Sequence, residues 1–530
     1  MIRDPSLLPG RRFDLLVVGG GIVGCAIARD AAMRGLSVAL VERDDFAAGT
    51  SSRTSKLIHG GLRYLEHGYI GLVRESCRER ERLLKLAPHL VKPLDFLLPF
   101  EPGTGWPPYP VLRLGLYMYD FFAGRQRVGG FHRGVKLAAL LAAEPGLKGG
   151  RSRRGAAYYD AQMDDARLTL EVALQAASRG AILMNHAEVT GFIRGPGGTI
   201  EGAAVTDRLT GSTFEVGARL VVNATGPWGD ATLGLAGRTG NPVLGVSKGI
   251  HLVYSDALVT HGLMLRVRRD RQRIFFILPW QGRTLIGTTD TPFSGDAREA
   301  RPDEADIAYL FEETAAALPG VQLLRERVIN VFCGVRPLLA ADKDHPSAAS
   351  REHMIREEPR GLLSVLGGKF TTFRSMAEQA VDVIQEKLGG PITPCPTRMA
   401  VLPGAVGLAE GAPSGEPAGV VLFARYGSRA AAVLRAAQRI PGGLEPLCPH
   451  TDRICGEVAF VAREEMAVTL GDILDRRLGL RKTASCGGKC AAETAARIAG
   501  PILGWSESEM RQKAEEYRKS VLVHGQPGSI

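Results

Sequence analysis

The sequence predicts an α/β protein in three parts: a doubly wound, largely parallel nucleotide-binding sheet, a mostly antiparallel second sheet, and a helical C-terminal domain. Three observations carry that expectation. A glycine-patterned turn joins a strand to a helix near the N-terminus, later buried-strand runs stop in small residues, and the chain from about residue 420 is rich in Ala, Leu, Glu and Arg at helical spacing.

The run Leu15, Leu16, Val17, Val18 is apolar and rich in β-formers, as for a strand buried on both faces. It enters Gly19-Gly20-Gly21-Ile22-Val23-Gly24, which fits G-x-G-x-x-G. Gly19 permits the tight turn, Gly21 lets backbone approach a pyrophosphate, and Gly24 lets helix pack on strand. The Ala-rich stretch that follows reads as a helix with its N-terminus toward the phosphates, ended by Gly35. Residues 37–41 form the next strand and deliver Glu42, a carboxylate placed to accept from a ribose hydroxyl. Strand, turn, helix, strand and acid in order define a Rossmann-like unit. The turn alone serves NAD and FAD equally.

Further along, Asp164-Asp165 opens a helical pattern stopped by Gly180 and followed by a strand-like run at 181–183. Residues 219–222 form a buried strand ending in Asn-Ala-Thr225-Gly226, where small residues suit a cofactor wall. Residues 362–366 lead into Gly367-Gly368-Lys369-Phe370-Thr371-Thr372 and a helix. These read as returns of one sheet to one ligand. The runs 274–278 and 284–287 suit an antiparallel substrate sheet, and 391–418 is rich in Pro, Gly and Ala. The expected division is residues 1–90, 150–245 and 340–390 for the nucleotide domain and 91–149 with 246–339 for the substrate domain, followed by a linker at 391–419 and a helical domain at 420–530.

At 530 residues the chain is too long for one compact core. A composition 45% apolar and 23% charged is that of a globular protein, and no run approaches the roughly 18 apolar residues of a membrane span. No apolar segment follows the N-terminal charges, so no secretory signal is expected. Eight cysteines in such a chain do not make a disulfide framework. The net charge of +10 is dispersed and accompanies no nucleic-acid motif, so an anionic substrate or membrane surface is favoured over nucleic acid.

Several spaced blocks then carry a resemblance. Thr50-Ser51-Ser52, residues 55–66 (SKLIHGGLRYLE), 163–168 (MDDARL), 223–228 (NATGPW), 247–251 (SKGIH), 286–290 (IGTTD), 334–338 (GVRPL), 367–374 (GGKFTTFR) and 457–477 occur in an order that resembles the FAD-dependent glycerol-3-phosphate dehydrogenases. The resemblance implies an FAD-binding domain like that of D-amino-acid oxidase and glutathione reductase. It implies oxidation of sn-glycerol 3-phosphate to dihydroxyacetone phosphate on FAD, with electrons passed to a membrane quinone. It also implies a protein held peripherally on the cytoplasmic face of the membrane; a homodimer is allowed. Rival readings are an oxidase of the same substrate that makes hydrogen peroxide, an amine or amino-acid oxidase of the same fold, and a non-catalytic FAD-binding protein.

The reaction needs a phosphate clamp, a base for the C2 hydroxyl and a flavin beside the C2 hydrogen. The resemblance supports Arg63, Arg336, Arg351 and Lys369 as the clamp with Tyr64 as a supporting donor, arginine being suited by its planar fork. His251 and His59 are the candidate bases, histidine titrating near neutrality; His59 could instead pack beside the flavin ring. Lys369 could also stabilise reduced flavin electrostatically. Lys248 reads as a surface charge. Thr50, Ser51, Ser52, Thr225, Gly226, Gly368 and Thr371 are expected against the cofactor, with Gly19, Gly21, Gly24 and Glu42.

Cys448, Cys455, Cys486 and Cys490 are numerous enough for zinc or an iron–sulfur cluster, but their spacings are not those of a C-x2-C knuckle. Free thiols and no metal are expected. The aromatic-rich residues 106–122, flanked by Arg113 and Arg125, suit either a bilayer interface or a helix packed over the site.

Overall fold

A computed structural model describes residues 1–523 other than 102, 104–105, 125–128, 271–272, 341–352 and 409–416. Arg125 and Arg351 lie outside the described residues.

The expected parallel sheet is present. Its strands run in the order His353–Glu357, Leu362–Gly367, Thr213–Asn223, Arg12–Val18, Val38–Val41 and Ile182–Met184. Arg12–Val18 pairs in parallel with both Thr213–Asn223 and Val38–Val41, with Val18 level with Asn223 and Val41. Three strands therefore finish at one edge, and ligands of such sheets bind outside the carboxyl ends. The helices Ile22–Met33, Asp165–Ser178 and Phe373–Lys387 cover one face. Apolar residues at helical spacing, including Cys25, Ala28, Leu168, Val172, Ala377 and Val381, bury fully against Leu15, Val17 and Leu40. Asp164 caps the second of these helices, accepting from the Arg167 N–H at 3.1 Å.

Among the described residues the second sheet has ten strands and is antiparallel apart from one pairing, Gly262–Arg266 with Val91–Phe100. Its long members are Leu244–Tyr254 and Val328–Leu339, paired with His251 opposite Phe332 and Ser247 opposite Arg336. The runs expected as strands appear as Ile274–Trp280 and Arg283–Gly287. Arg154–Met163 also belongs to this sheet, pairing with Val91–Phe100, so the span 150–245 contains a strand of each sheet.

The segment read as a linker is partly strapped down. Arg29 donates to the Ala400 carbonyl at 2.7 Å, Gln175 to that of Val401 at 2.7 Å, and the Gly404 N–H to Glu171 at 2.7 Å. Pro and Gly there shape two short 3-10 turns, and Leu402 is buried. The helical domain then packs its own core, from Leu422 to Val521, and docks on the first sheet's domain through buried ion pairs. Arg167 meets Glu465 at 2.5 and 3.0 Å, and Arg477 meets Asp45 at 2.6 and 3.0 Å. Lys248 is not a surface charge. It is buried and paired with Asp303 at 2.5 Å and Asp306 at 2.9 Å, which tie the helix Glu304–Ala317 to its strand.

Candidate active site

A cavity of about 730 Å³ opens where the carboxyl ends of the parallel strands meet the face of the second sheet. The size lies in the range of cofactor and small-molecule sites. Gly19, Gly21, Glu42, Thr50, Ser51, Thr225, Gly226, Gly368 and Thr371 line it.

The turn is built as its glycines require. Gly19 has φ +109°, and a Cβ there would stand 2.7 Å from the Ala224 carbonyl oxygen. A Cβ on Gly24 would collide with the Gly19 carbonyl, so Gly24 serves helix packing and is not on the cavity wall. Gly21 caps the helix Ile22–Met33, whose N-terminus faces the cavity with Ser51 Oγ accepting from the Ile22 N–H at 2.9 Å. Glu42 accepts from the Gly20 and Asp44 N–H groups at 2.6 and 2.8 Å. Burial pushes its carboxyl up to about 7, against the pull of those two donors. Ser52 does not line the cavity; it is buried, and its carbonyl accepts from Lys56 at 2.9 Å and from Lys482. This set fits FAD: a strand-turn-helix cradle too tight for side chains, an acid at the adjacent strand end, and small residues along the far wall.

The cavity is also lined by His59, Tyr64, His251, Arg336 and Lys369. His251 is buried, and its Nε2 meets Ser55 Oγ at 2.8 Å. Its ring stacks on Phe332 at 5.0 Å between centroids, inclined by 13°. Burial, then the positive charges of Arg336, Lys56 and Lys482, hold its pKa well below the ordinary histidine value. Its imidazole is therefore neutral at neutral pH.

Arg336 is held in a fixed pose. Its Nη2 donates to Thr288 Oγ1 at 2.7 Å and to the Thr289 carbonyl at 3.0 Å, and its Nη1 lies 3.2 Å from Asp290. Gly249 makes room for it, since a Cβ at that position would strike the guanidinium. Lys369 follows the strand Leu362–Gly367 of the other sheet, with Nζ 3.7 Å from the Tyr64 ring centroid. His59 is half-buried, its N–H donating to Thr371 Oγ1 at 3.2 Å. Behind it, Gly60 N–H, Arg80 and Tyr119 all donate to Asp160, at 3.1, 2.7 and 2.7 Å, fixing the loop that carries Tyr64. Arg63 shares the 3-10 turn Leu62–Leu65 with Tyr64 but is not among the residues lining the cavity.

Sequence reasoning missed Ser55, Gly249, Thr288, Phe332 and Lys482. Ser55 and Gly249 fall inside the quoted motifs, and the spacing of Gly249 two residues before His251 on a strand puts both on one face. Nothing in sequence signals the contact of Lys482, from the helical domain, with the Phe332 ring at 4.8 Å.

Fold and site together define a flavin-dependent oxidoreductase. A family model described as FAD dependent oxidoreductase matches residues 14–381, and one described as the C-terminal domain of alpha-glycerophosphate oxidase matches 395–510. The glycerol-3-phosphate dehydrogenase 2 of Mycobacterium tuberculosis is 37% identical over 98% of this chain and 90% of its own length. A glycerol-3-phosphate dehydrogenase of Synechocystis is 36% identical over 96% of each. The crystal structure of glycerol-3-phosphate dehydrogenase from Bacillus halodurans complexed with FAD superposes with a TM-score of 0.81 at 29% identity, covering 99% and 97% of the two chains. The chain belongs to the family of FAD-dependent glycerol-3-phosphate dehydrogenases.

Proposed function

We propose that this protein oxidises sn-glycerol 3-phosphate to dihydroxyacetone phosphate and delivers the electrons to a membrane quinone. The observation that carries the substrate is the presence of Arg336 and Lys369, from different sheets, in the lining of the cavity that also holds a neutral His251. Cations fixed on opposed scaffolds suit a phosphate monoester, which carries about −1.5 to −2 charge at neutral pH. An amine would bring a like charge beside them, and a neutral polyol would bring no anion for them to bind.

In this reading the first sheet holds the cofactor and the second supplies His251 and Arg336. Bound FAD supplies the acceptor for the C2 hydride. Arg336 and Lys369 bind the phosphate, with Tyr64 donating beside them; the resemblance adds Arg351 to this clamp, whereas Arg63 is not among the residues lining the cavity. The C2 hydroxyl loses its proton to the Ser55–His251 pair as the hydride leaves, and the C2–O bond becomes the ketone. His59 packs along the ring side of the cavity, and Lys369 adds positive charge where negative charge builds on reduction.

The quinone reading is supported by the helix Tyr109–Ala123. Val111, Leu114, Tyr117 and Phe121 recur every three or four residues and are exposed by 53%, 60%, 56% and 80%. Such a stripe on a surface helix suits the boundary of a bilayer. Among the described residues no helix is long and apolar enough to cross one. The competing oxidase reading draws on the family description of residues 395–510.

A substrate and acceptor panel tests both levels. Glycerol 3-phosphate is expected to drive turnover with a soluble quinone, glycerol and amino acids are not, and peroxide stays well below the substrate consumed. Peroxide matching substrate without quinone reduction would establish the oxidase instead. Turnover with an amino acid alone would remove the phosphate clamp from the account.

A further inference from the structure

The helical domain brings together side chains that are scattered in sequence. Cys486 and Cys490 frame the loop Cys-Gly-Gly-Lys-Cys, in which Gly487 and Gly488 both take positive φ, +60° and +86°. Across from it, Cys448 and His450 sit on a tight loop closed by the Leu447 N–H on the Arg453 carbonyl at 2.7 Å. One ligand atom each from His450, Cys486 and Cys490 lie within 4.8 Å of one another. Cys448 Sγ stands 3.9 Å from Cys486 Sγ. Cys455, grouped with these cysteines by sequence, is set apart, with Glu445 and Arg497 as its charged neighbours.

We propose that Cys448, His450, Cys486 and Cys490 form a structural site for a thiophilic tetrahedral metal ion, zinc, clamping the two loops of the helical domain together. Ligand atoms of a tetrahedral zinc with three sulfurs and one nitrogen stand about 3.5–3.8 Å apart, which follows from Zn–S of about 2.3 Å and Zn–N of about 2.0–2.1 Å. The Cys448–Cys486 sulfur pair, 3.9 Å apart, is already near that spacing, and the His450, Cys486 and Cys490 ligand atoms need to close from within 4.8 Å by about an ångström. Three ligand atoms gathered around one point suit a single ion better than a two-iron cluster, whose ligands divide between two irons. The donor set of three thiols and an imidazole is a common structural zinc set, and its burial is graded from the enclosed Cys448 to the exposed His450 and Cys490.

Supporting groups surround the cluster. The His450 N–H bonds to the Cys448 sulfur, and Lys489 lends positive charge to Cys490. Binding exchanges the three S–H protons, released to solvent, for three metal–sulfur bonds, and affinity rises with pH. The loop ends at the helix Ala492–Leu503 and begins just after Lys482, the residue that reaches Ser52 and Phe332 behind the active site. A clamp here steadies the wall on which His251 stacks.

The test uses the full chain with FAD, produced in zinc-supplemented medium and purified under reducing conditions without chelator. About one zinc per chain is expected to survive desalting. The Cys486→Ser/Cys490→Ser double variant is expected to retain FAD and lose the zinc, whereas Cys455→Ser keeps it. Cobalt(II) added to the reduced, metal-stripped wild type should give thiolate-to-cobalt and tetrahedral ligand-field absorption beyond the oxidised flavin band, independent of how any variant folds. Wild type that retains no zinc and gives no such absorption would overturn the proposal. So would iron with acid-labile sulfide, or a disulfide joining two of the three cysteines in peptides from protein kept reduced.

Discussion

His251 earns its place by environment. Enclosed beside Phe332 and facing Arg336, Lys56 and Lys482, it keeps its proton affinity low and its ring neutral. A folded-state pKa below the unfolded value of about 6.5 adds nothing to stability above that pH. Below it the unfolded chain binds a proton that the folded chain refuses, so stability falls. The melting temperature of wild type relative to His251→Asn should therefore be constant above pH of about 6.5 and decline below it. A constant difference at all pH values would remove the neutral-histidine argument. The same substitution should slow flavin reduction about 10²–10⁴-fold with little change in substrate affinity. Arg336→Ala should leave FAD bound yet lower kcat/KM by about 10- to 150-fold, the equivalent of about 1.5–3 kcal/mol, chiefly through KM. Unchanged steady-state kinetics would take Arg336 out of the clamp. Both residues were legible because each sits in a motif rich in glycine. Ser55 lies in such a motif too, but its contact with His251 joins a loop to a distant strand, and Phe332 meets His251 only because two strands come into register.

At the level of elements, strand Leu244–Tyr254 places function by alternation. Gly249 and His251 share one face, and the glycine leaves space that the Arg336 guanidinium fills from the neighbouring strand. Gly249→Ala should displace Arg336 and raise KM for the phosphate substrate, while flavin content, read by absorbance, stays full. A normal KM would mean that the guanidinium adapts freely. Gly21→Val is the complementary case: it intrudes on the cofactor turn and should yield colourless protein. The first strand, turn and helix were readable because period and glycine pattern agree there. Arg154–Met163 was misplaced since a strand carries no mark of which sheet it joins. The stretch near 400 read as linker from its Pro and Gly, whereas its carbonyls serve Arg29 and Gln175.

The whole molecule is held as a unit by charge buried between domains. Burial pushes the Glu465 carboxyl up, but Arg167 and Arg429 outweigh it and bring it down to about 2. A carboxylate so depressed contributes stability in full above its unfolded pKa and loses it as pH falls from about 4.5 toward about 2. Glu465→Ala would leave Arg167 buried without its partner, at a cost of about 3–5 kcal/mol, measurable by urea unfolding. A loss within about 0.5 kcal/mol would mean the domains dock by apolar contact alone. Composition announced a helical domain but not its reach to Phe332 behind the active site through Lys482, because that contact depends on docking geometry and not on any local pattern. The central claim is that fixed cations and a neutral histidine present a phosphate ester to FAD. Mixing the purified yellow protein anaerobically with sn-glycerol 3-phosphate tests it most directly. The account predicts rapid bleaching of the visible flavin band, slowed in His251→Ala and weakened in Arg336→Ala; a band left unchanged by that ester would contradict it.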